Sequence, residues 1–457
     1  MTAAPTVIGD RRELFVDDAL IARREGVELV LQRPVPRDVA VVHDAPWEGN
    51  TCCYHTVFQD GRLYRLYYRG SHFDEERGTN DHPEVVCYAE SRDGIHWEKP
   101  ELGLVDFMGS RRNNIVWNGY GSHNFAPFRD RNPECRPGEE YKALAGSGRE
   151  GLKALVSPDG VHWRLLQEAP VITHGAFDSQ NLAFWDPNQR CYREYHRHFR
   201  EHEGRKVRDI MTSLSADFRT WSAPEWLAYP GAPVEQLYTN AILPYCRAPH
   251  IYLGFPKRFV PERTVVEHQA HGVSDGLFMT SRDGQTFRRW GEAFIRPGLQ
   301  PERWVNRNNM TAWGIVSTAA FLDHAPDELS LYSTEHYYRG PASKLRRWTV
   351  RADGFVAAHA PLAGGELVTE PVVFAGRHLE LNFSTSAAGS VRVELQDAAG
   401  AACDGFALAD CPPLYGDSLG QRVRWRGGDD VGALAGTPVR VRFALQDADL
   451  FAYRFAG

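Results

Sequence analysis

The sequence has 457 residues, enough for one large and one smaller domain, and its 42% apolar and 24% charged residues are typical of a globular protein. The formal net charge is −7, and no run of basic residues is available to neutralise phosphates, so nucleic acid is excluded as an expected partner. No stretch approaches the ~20 consecutive apolar residues of a membrane-spanning helix, so we expect no membrane partner.

The first residues, MTAAPTVIGDRRELFVDDAL, lack the basic region and following apolar region of a secretory signal. Eight cysteines are scattered without a CxxC pair, which argues against a disulfide framework and a structural zinc site. We therefore expect a soluble, reduced, cytoplasmic protein that binds no metal and no cofactor. Homo-oligomerisation is left open.

Residues 1–47 are predicted to form an N-terminal segment that supplies one strand and covers the edge of a sheet. It contains two adjacent acids, Asp17 and Asp18, in LFVDDALI. A position near a catalytic channel is the less favoured interpretation for this pair, and a local structural role is the favoured one.

A short motif then recurs along the chain. Its copies are SRDGIHW (91–97), SPDGVHW (157–163), SADFRTW (215–221), SRDGQTF (281–287) and a weaker RADGFV (351–356). Asp-Gly supplies the positive φ of a tight turn, and Ser or Asp side chains bond to nearby backbone amides. Each copy therefore predicts a turn between two strands, and the regular spacing predicts a repeat fold.

About four strands fit into each period, and long amphipathic helices are absent from the pattern. This predicts an all-β protein with a five-bladed β-propeller over residues 48–362, its blades at 48–107, 115–173, 176–230, 235–298 and 306–362. The composition changes at HAPLAGGELV (359–368). Residues 363–457 alternate polar and apolar positions between Gly and Asp turns, which predicts a C-terminal β-sandwich with a structural role.

The first strand of each propeller blade lines the central channel, so a binding site can be assembled from the starts of these strands. All five starts are polar before they become apolar. Amides bond to sugar hydroxyls in both directions, and aromatic faces stack on sugar C–H groups. We therefore predict a set of sugar-binding residues at these starts: Asn50, His55, His123, Asn124, Gln180, Asn181, Tyr238, Asn240, Arg307 and Asn308.

Three of the starts also carry an acid: Glu48, Asp178 and Glu235. Hydrolysis of a glycosidic bond needs one carboxyl group to protonate the leaving oxygen and a second to activate water or to attack carbon. We predict Glu235 as the general acid, Asp178 as the base or nucleophile, and Glu48 as their partner or as a modulator of pKa. For any one of these acids alone, the alternative is a solvated or turn-capping role.

Several other polar residues are predicted to be structural. Asp130 and Asp186 lie beside outer turns, and Glu335 with His336 is expected to pack inside the fifth blade. A metal site built from His55, His123 and His336 is disfavoured, because no HxH or HExxH spacing supports it. For Arg307, binding of a substrate carboxylate or hydroxyl and a surface salt bridge are equally open.

Two stretches, WEGNTCCYHTVFQDGRLYRLYYRG (47–70) and YAESRDGIHWEKPELGL (88–104), together with the predicted blades, resemble the five-bladed propeller glycosidases of glycoside hydrolase families 32, 43 and 68. They look most like proteins described as having a family-32 N-terminal domain. The resemblance implies furanosides, such as fructosyl or arabinofuranosyl groups, with pyranosides left open.

The sequence also departs from those families, which place Asp on blade 1, Asp on blade 2 and Glu on blade 3. Here blade 1 offers Glu48, blade 2 has His123 and Asn124 at the expected place, and the NDPNG stretch of family 32 is absent. Invertase-type chemistry therefore cannot simply be transferred to this chain.

The sequence as a whole predicts a glycoside hydrolase that removes terminal sugar residues from small oligosaccharides. Two other hypotheses stay open. One is a sugar-binding or scaffold propeller without catalysis, and the other is a phosphorolytic or lyase enzyme on the same fold, for which Arg307 is the support.

Overall fold

A computed structural model of the chain describes residues 4–267 and 271–457. Nearly all regular structure in these ranges is strand, and the helical residues there are confined to three short 3-10 helices, Pro301–Trp304, Leu408–Asp410 and Gly432–Leu434. The prediction of an all-β protein is confirmed. In the same ranges, no helix has the length and apolar character that crossing a membrane requires; the cytoplasmic location stays a prediction.

The chain forms two compact units. The smaller unit runs up to Arg33 and resumes at Cys246–Ala248 and Arg351–Gly457, and the larger unit covers Pro34–Tyr245 and Pro249–Val350. The predicted domain boundaries after residues 47 and 362 stay predictions. The compact units change over earlier in both places, because Val35–Val42 pairs with Lys344–Val350 inside the larger unit.

Five four-stranded sheets form the main part of the larger unit, within the described residues. Four of them follow one another along the chain, and the fifth takes its outermost strand from the N-terminal side. In pairing order they are Cys53–Asp60, Leu63–Gly70, Val85–Ser91 and Ile115–Trp117; Ala126–Arg129, Tyr141–Ser147, Gly151–Ser157 and Arg164–Leu165; Leu182–Asp186, Cys191–His202, Arg205–Ser215 and Glu225–Trp226; Leu243–Tyr245, Ala248–Gly254, Met279–Ser281 and Phe287–Arg289; and Val316–Thr318, Glu328–Glu335, Lys344–Val350 and Val35–Val42.

Two small sheets accompany these five. One has three strands, Gln236–Leu237, Lys257–Val260 and Val273–Gly276, and the other pairs Phe73–Asp74 with Thr79–Asn80. The three-stranded sheet positions part of the candidate site described below.

The predicted repeat is a set of turns between the third and fourth strands of the first four sheets, named the repeat turns here (91–94, 157–160, 215–218 and 281–284). In the first, Ser91 Oγ accepts the Gly94 N–H at 2.9 Å, and Asp93 Oδ1 accepts two amide bonds from residues 95 and 96 at 2.8 Å each. Gly94, Gly160 and Gly284 have φ of +72°, +80° and +76°, and Phe218 takes this place in the third copy with φ of +63°. The hairpin interpretation is correct for these four copies.

The fifth copy, RADGFV, does not follow the pattern. It lies in the smaller unit, where the positive φ of 65° falls on Asp353 itself rather than on Gly354. Asp353 is fully buried and bonds to Arg247 Nε at 2.8 Å. Without the serine that accepts the turn amides, this stretch is stabilised by ion pairing instead.

The repeat turns also connect neighbouring sheets. Tyr67 of the first sheet donates to Gly160 O at 2.9 Å, and Tyr195 of the third sheet donates to Gly284 O at 2.6 Å. Tyr332 of the fifth sheet donates to Gly94 O of the first. The same contact thus recurs at three of the four repeat turns, each of which accepts a tyrosine hydroxyl from the second strand of another sheet.

Buried aspartates at the ends of first strands make a second series of junctions. Tyr192 of the third sheet donates to Asp130 at 2.7 Å, and Tyr252 of the fourth sheet donates to Asp186 at 2.6 Å. Both aspartates are largely or fully buried, as expected for structural residues. Trp313 makes two further contacts of this connecting kind. Its indole N–H donates to Ile242 O at 2.8 Å, and its backbone pairs with the first sheet at His55 and Val57.

The smaller unit contains one hydrogen-bonded network of ten strands in its described residues. Two of these are very long and pair with each other over most of their length, with register shifts near residues 382 and 385–390. The strands are Thr6–Gly9, Glu13–Leu14, Ile21–Glu25, Glu28–Leu31, Val356–Ala360, Gly365–Thr369, Val372–Phe374, His378–Asp397, Asp417–Arg422 and Pro438–Ala456. The two-layer sandwich predicted for residues 363–457 stays a prediction.

Asp17 and Asp18 lie in this smaller unit. Asp17 Oδ1 accepts the Ala19 N–H at 3.1 Å, and Asp18 pairs with Arg24 at 3.4 Å. The local structural role that was favoured for this pair agrees with these contacts.

Candidate active site

A carboxylate–imidazole–carboxylate chain lies in the larger unit. His123 Nε2 is 2.9 Å from Asp178 Oδ1, and His123 Nδ1 is 2.8 Å from Glu84 Oε2. Arg69 Nη1 also lies 3.0 Å from His123 Nδ1. His123 therefore joins the carboxylates of Glu84 and Asp178 and lies against the Arg69 guanidinium.

Asp178 combines exposure with a strongly charged environment. Its side chain is 59% exposed, whereas Arg69 beside the same chain is 3% exposed. The hydrogen bond from His123 holds the pKa of Asp178 well below its ordinary range; desolvation opposes this, and the charges of His123, Arg307 and Arg197 add to it. Asp178 is thus an accessible, ionised carboxylate.

Glu84 is less exposed and is also held ionised. Desolvation alone would raise the pKa of Glu84, but the hydrogen bond from His123 and the charge of Arg69 lower it below the ordinary value. Arg69 Nη1 lies 3.4 Å from the Glu84 carboxylate, and its other nitrogen donates to Thr51 O at 2.8 Å. Glu84 is thereby fixed, and it fixes His123 in turn.

Aromatic hydroxyls border the chain. The Tyr54 and Tyr238 hydroxyls are 2.7 Å apart, and the Tyr54 ring lies 5.6 Å from the His123 ring. Burial raises the pKa of both tyrosines, so they stay neutral and can donate a hydrogen bond. We name Glu84, His123, Asp178, Tyr54 and Tyr238 the Asp178 cluster.

The backbone around the cluster is strained at several residues that are not glycine. Tyr54 has φ of 55°, Arg307 has φ of 69° and Tyr338 has φ of 61°. L-residues with side chains seldom adopt this left-handed region, and such strain is concentrated at functional sites. It is consistent with side chains that are placed for a purpose other than packing.

Asp178 is positioned by buried amides rather than by a regular strand. Asn124 and Asn181 both donate from Nδ2 to Phe177 O, and Ser179 Oγ donates to Tyr238 O at 2.5 Å. These bonds fix the backbone on both sides of Asp178 just before the strand Leu182–Asp186 begins. They also join the Asp178 segment to Tyr238.

The five asparagines among the predicted sugar-binding residues form hydrogen bonds inside the larger unit. They are Asn50, Asn124, Asn181, Asn240 and Asn308. All are 4% exposed or less, and all bond to backbone groups. Asn50 bonds to both the N–H and the C=O of Phe73, and Asn308 bonds to the N–H and C=O of Tyr337. Asn240 bonds to Tyr195 O and Ile242 N–H. These amides hold the ends of the first strands in place, and their contact with a sugar stays a prediction.

Gln180 and His55 are likewise occupied inside the unit. Gln180 Nε2 donates to His55 O at 3.0 Å and to Thr56 Oγ1 at 3.2 Å. His55 Nε2 lies 3.0 Å from His43 Nε2, and both rings are buried. Of the ten predicted sugar-binding residues, His123, Tyr238 and Arg307 are the ones that reach the surroundings of Asp178.

Glu48 does not join the Asp178 cluster. Its side chain is fully buried, and its carboxylate accepts bonds from Lys99 Nζ at 2.6 Å, from the Ala45 N–H at 3.0 Å and from the Tyr68 hydroxyl. Through these donors the Glu48 side chain ties the segment around residue 45 to the first sheet.

Glu235 directly precedes the strand Gln236–Leu237 of the three-stranded sheet and faces away from Tyr238. It bonds to Arg258 at 2.9 Å and also to Arg289, and Arg258 alternates with Lys257 along one strand. Since neighbouring strand residues point to opposite faces, Arg258 and its partner Glu235 face away from Lys257 and Tyr238. Glu235 lines a separate surface depression of about 690 Å³, which Asp178 does not line.

The remaining predictions concern Glu335 and the histidines. Glu335 is fully buried and accepts from Arg346 Nε at 2.6 Å, with Arg303 at 3.4 Å, as its predicted packing role requires. Within residues 4–267 and 271–457, no group of three or more His, Cys, Asp or Glu side chains is arranged to hold a metal ion.

Several residues around Asp178 were missed by sequence reasoning. They are Glu84, Tyr54, Arg69, Arg197, Arg208, Lys257 and Tyr337. Most lie on second and third strands or beside them, while the prediction used first strands alone. The available signal lay in the long strand Cys191–His202, where Arg197 and Phe199 are two residues apart and therefore share one face.

No family model matches the chain. It is similar to the uncharacterized protein Rv1502 of Mycobacterium tuberculosis strain H37Rv, with 32% identity over 133 residues, which are 29% of this chain and 40% of that protein. The uncharacterized protein MT1551 of strain CDC 1551 is 30% identical over 140 residues, with the same two shares. The chain thus spans about 40% of the length of these curated relatives.

Solved structures with a distant likeness include carbohydrate-active enzymes. One is described as a glycoside hydrolase, with a TM-score of 0.47 and 13% identity over 69% of this chain and 92% of that one. Another is a β-1,2-mannobiose phosphorylase from Listeria innocua, with values of 0.44 and 10% over 71% and 97%. A third is an exo-inulinase from Aspergillus awamori, with values of 0.41 and 11% over 92% and 99%.

Proposed function

We propose that the larger unit is a five-bladed β-propeller whose Asp178 cluster cleaves a glycosidic bond. The propeller is supported by five four-stranded sheets that are joined in sequence, with the fifth joined back to the first through Trp313 and Tyr332. A ring of this kind brings the starts of the first strands to one end of a shared axis.

The observation that carries the proposed chemistry is the exposed, ionised Asp178 in contact with the His123 imidazole. Cleavage of an acetal needs a proton for the leaving oxygen and a carboxylate for the developing positive charge on carbon. Asp178 acts as base or nucleophile. In place of Glu235, His123 holds the proton that the leaving oxygen takes, and Glu84 positions its ring.

The order of events follows from charge balance. The bond between the anomeric carbon and the leaving oxygen breaks, and that oxygen takes the proton from His123 Nε2. Water then adds its oxygen to the anomeric carbon and gives its proton to Asp178, from which the proton returns to His123 Nε2. Since Asp178 and His123 are in contact in the free protein, the sugar has to separate them before they act. Catalytic hydrogen bonds commonly form their working geometry only in the substrate complex.

The substrate is proposed to be a terminal furanoside or pyranoside residue of a small oligosaccharide. Tyr338 is partly exposed, with Arg307 Cζ 5.8 Å from its ring centre, and supplies an aromatic face that suits sugar C–H groups. Tyr54 and Tyr238 are buried and bond to each other through their hydroxyls, so they support the site from inside. The furanoside preference rests on the resemblance of the two sequence stretches given above.

A second candidate, phosphorolysis or elimination, is favoured by a different observation. Four cationic side chains surround Tyr238 and its neighbours, which suits a phosphate nucleophile or an acidic sugar. In phosphorolysis the anomeric carbon is transferred to phosphate, and in elimination the leaving oxygen departs with formation of an unsaturated sugar.

The test is a product analysis on one panel of arabinofuranosides, fructosides and pyranosides, each with and without inorganic phosphate. Hydrolysis gives a free reducing sugar in either condition, phosphorolysis gives a sugar phosphate only with phosphate, and elimination gives an unsaturated product. No product in any condition, with saturable sugar binding retained, would establish a binding propeller and overturn the enzymatic proposal.

A further inference from the structure

Four cationic side chains converge on three aromatic rings beside the Asp178 cluster: Arg197, Arg208, Lys257 and Arg307, named the cationic cluster here. Three of them share the Tyr238 ring, with Lys257 Nζ 4.4 Å, Arg197 Cζ 5.1 Å and Arg307 Cζ 5.8 Å from its centre. Arg208 joins them over two further rings: it shares Phe259 with Lys257 and Phe199 with Arg197.

The members of the cationic cluster bond to neutral groups. Arg197 Nε donates to Ala176 O, Arg208 Nη1 to Gln236 Oε1, Lys257 Nζ to Asn306 Oδ1 and Arg307 Nη1 to the Tyr337 hydroxyl, at 3.0–3.1 Å. Across residues 4–267 and 271–457, none of the four forms an ion pair with a carboxylate. Arg208 Nε is buried and lacks a hydrogen-bond partner in those same ranges.

Mutual repulsion acts on two members of the cationic cluster, Lys257 and Arg208. Burial, together with the charges of Arg307 and Arg208, lowers the pKa of Lys257 well below its ordinary range. Burial and the charge of Arg197 also lower the pKa of Arg208, and the negative charge of Asp178 does not outweigh them. Asp178 is itself bonded to His123, so it compensates the cationic cluster only in part.

Burying like charges without counter-ions destabilises a fold, and this arrangement persists where a bound anion compensates them. Guanidinium groups bind carboxylate and phosphate oxygens through paired N–H donors, and lysine adds a point charge. We propose that the cationic cluster is a subsite for an oxyanionic group of the ligand, adjacent to Asp178. This inference rests on the proposed function, because the oxyanionic group would belong to the sugar residue next to the bond that Asp178 cleaves, or to the nucleophile that attacks it.

The oxyanion has two sources with the same chemistry. It is either carried by the saccharide, as a uronate carboxylate or a sugar phosphate, or supplied as free phosphate that takes part in the reaction. In the first case neutral sugars are poor ligands, and in the second they bind well once phosphate is present. Both sources require the same four side chains.

The experiment measures binding by titration calorimetry and by the shift in Tm, with inorganic phosphate, glucuronate, glucose 6-phosphate and glucose as probes. The unaltered chain is compared with Arg208→Gln, with Arg208→Lys as the conservative variant, and with Arg164→Gln as control. Arg164 is an exposed arginine of the second sheet. Because Lys257→Met removes a buried charge without removing packing, it serves as a second variant if Arg208→Gln does not fold.

We expect at least one oxyanionic probe to bind while glucose alone does not. Arg208→Gln should weaken that binding by roughly ten- to a hundredfold, the loss of one hydrogen bond to a charged group, with partial recovery in Arg208→Lys. If inorganic phosphate is the only probe that binds, the oxyanion is free phosphate. If only glucuronate or glucose 6-phosphate binds, the oxyanion is carried by the saccharide. Equal binding in Arg208→Gln and Arg164→Gln, or no anion binding at all, overturns the inference.

Asp178→Asn separates this inference from the proposed function. Removing a negative charge next to the cationic cluster should preserve or strengthen anion binding while turnover is lost. Turnover without anion binding would refute the subsite and leave the proposed function standing. Anion binding without turnover of any substrate in the panel would refute the proposed function and leave the subsite standing.

Discussion

His123 Nε2 lies 2.9 Å from Asp178 Oδ1, with the Glu84 carboxylate 2.8 Å from the other ring nitrogen. The His123 imidazole thus contacts both Asp178, which is largely exposed, and Glu84, which is more buried. The exposed acid is free to meet a ligand, whereas the buried one is held by Arg69. This asymmetry supports the proposal that Asp178 is the reacting acid of the pair and Glu84 the supporting one.

Replacement of Asp178 by Asn is expected to lower kcat by about 10²- to 10⁴-fold, because it removes the carboxylate that acts on the anomeric carbon. The Tm should change little, since the side chain is mostly exposed. Steady-state kinetics and thermal melting measure the two quantities.

Asp186→Asn is the matched comparison, eight residues further along the same segment. Asp186 is fully buried and accepts from Arg193 Nε at 3.3 Å and from Tyr252 at 2.6 Å. Loss of its charge leaves Arg193 uncompensated and should lower the free energy of unfolding by about 3 kcal/mol or more. An Asp178→Asn variant with normal kcat would remove Asp178 from the mechanism.

Glu235→Gln is expected to keep turnover close to that of the unaltered chain. Its carboxylate bonds to Arg258 and Arg289 on the face opposite to Lys257, so it does not reach a sugar at Asp178. The same kinetic assay measures this, and loss of turnover without loss of stability would restore Glu235 as the general acid.

Asn50→Ala is expected to destabilise the chain without weakening sugar binding. It leaves both backbone groups of Phe73 without their amide partner, at a cost of about 1–3 kcal/mol. Urea unfolding measures the change, and Asn118→Ala at an exposed position is the control. A variant of normal stability that no longer binds sugar would show that this amide contacts the ligand after all.

The free energy of unfolding is expected to fall as the pH drops from about 6.5 towards 4. Burial lowers the pKa of His43 from 6.5 to about 4, outweighing the charge of Glu48, which raises it. Burial also lowers the pKa of His55 well below its ordinary value, and the charge of His43 adds to this. In this window the unfolded chain takes up protons that the folded chain does not, so acid favours unfolding.

For His43 alone, the loss is on the order of 3 kcal/mol once the pH is below both pKa values. Denaturant unfolding at a series of pH values gives the slope, which His43→Gln should reduce and His96→Gln, at an exposed position, should not. An unchanged slope in His43→Gln would mean that other groups titrate in this range.

The all-β class and the repeat turns were predictable because their signals are local. Ser91, Asp93 and Gly94 bond within one turn, so three residues determine the turn wherever the motif occurs. The fifth copy shows the limit of this reasoning: its Asp353 bonds to Arg247, more than a hundred residues away, which no local pattern reveals.

The site was less predictable, because polarity at a strand start has two explanations that look the same in one sequence. The role of Asp178 stays a prediction, and Asn50 and Asn308, which have the same pattern in the sequence, bond to backbone. Glu235 was assigned to a first strand, whereas the first strand of the fourth sheet is Leu243–Tyr245 and residues 236–237 belong to a different sheet. Two polar-to-apolar transitions within ten residues left the register ambiguous.

The fifth sheet is completed by Val35–Val42, whose partner strand is Lys344–Val350. During synthesis the earlier strand emerges first and stays unpaired until the later one has been made. At a translation rate of about 5–20 residues per second, that interval is roughly 15–60 s. For this time the nascent chain exposes the unpaired edge of Val35–Val42, so the larger unit is most exposed to chaperones and to mispairing just before its last strand leaves the ribosome.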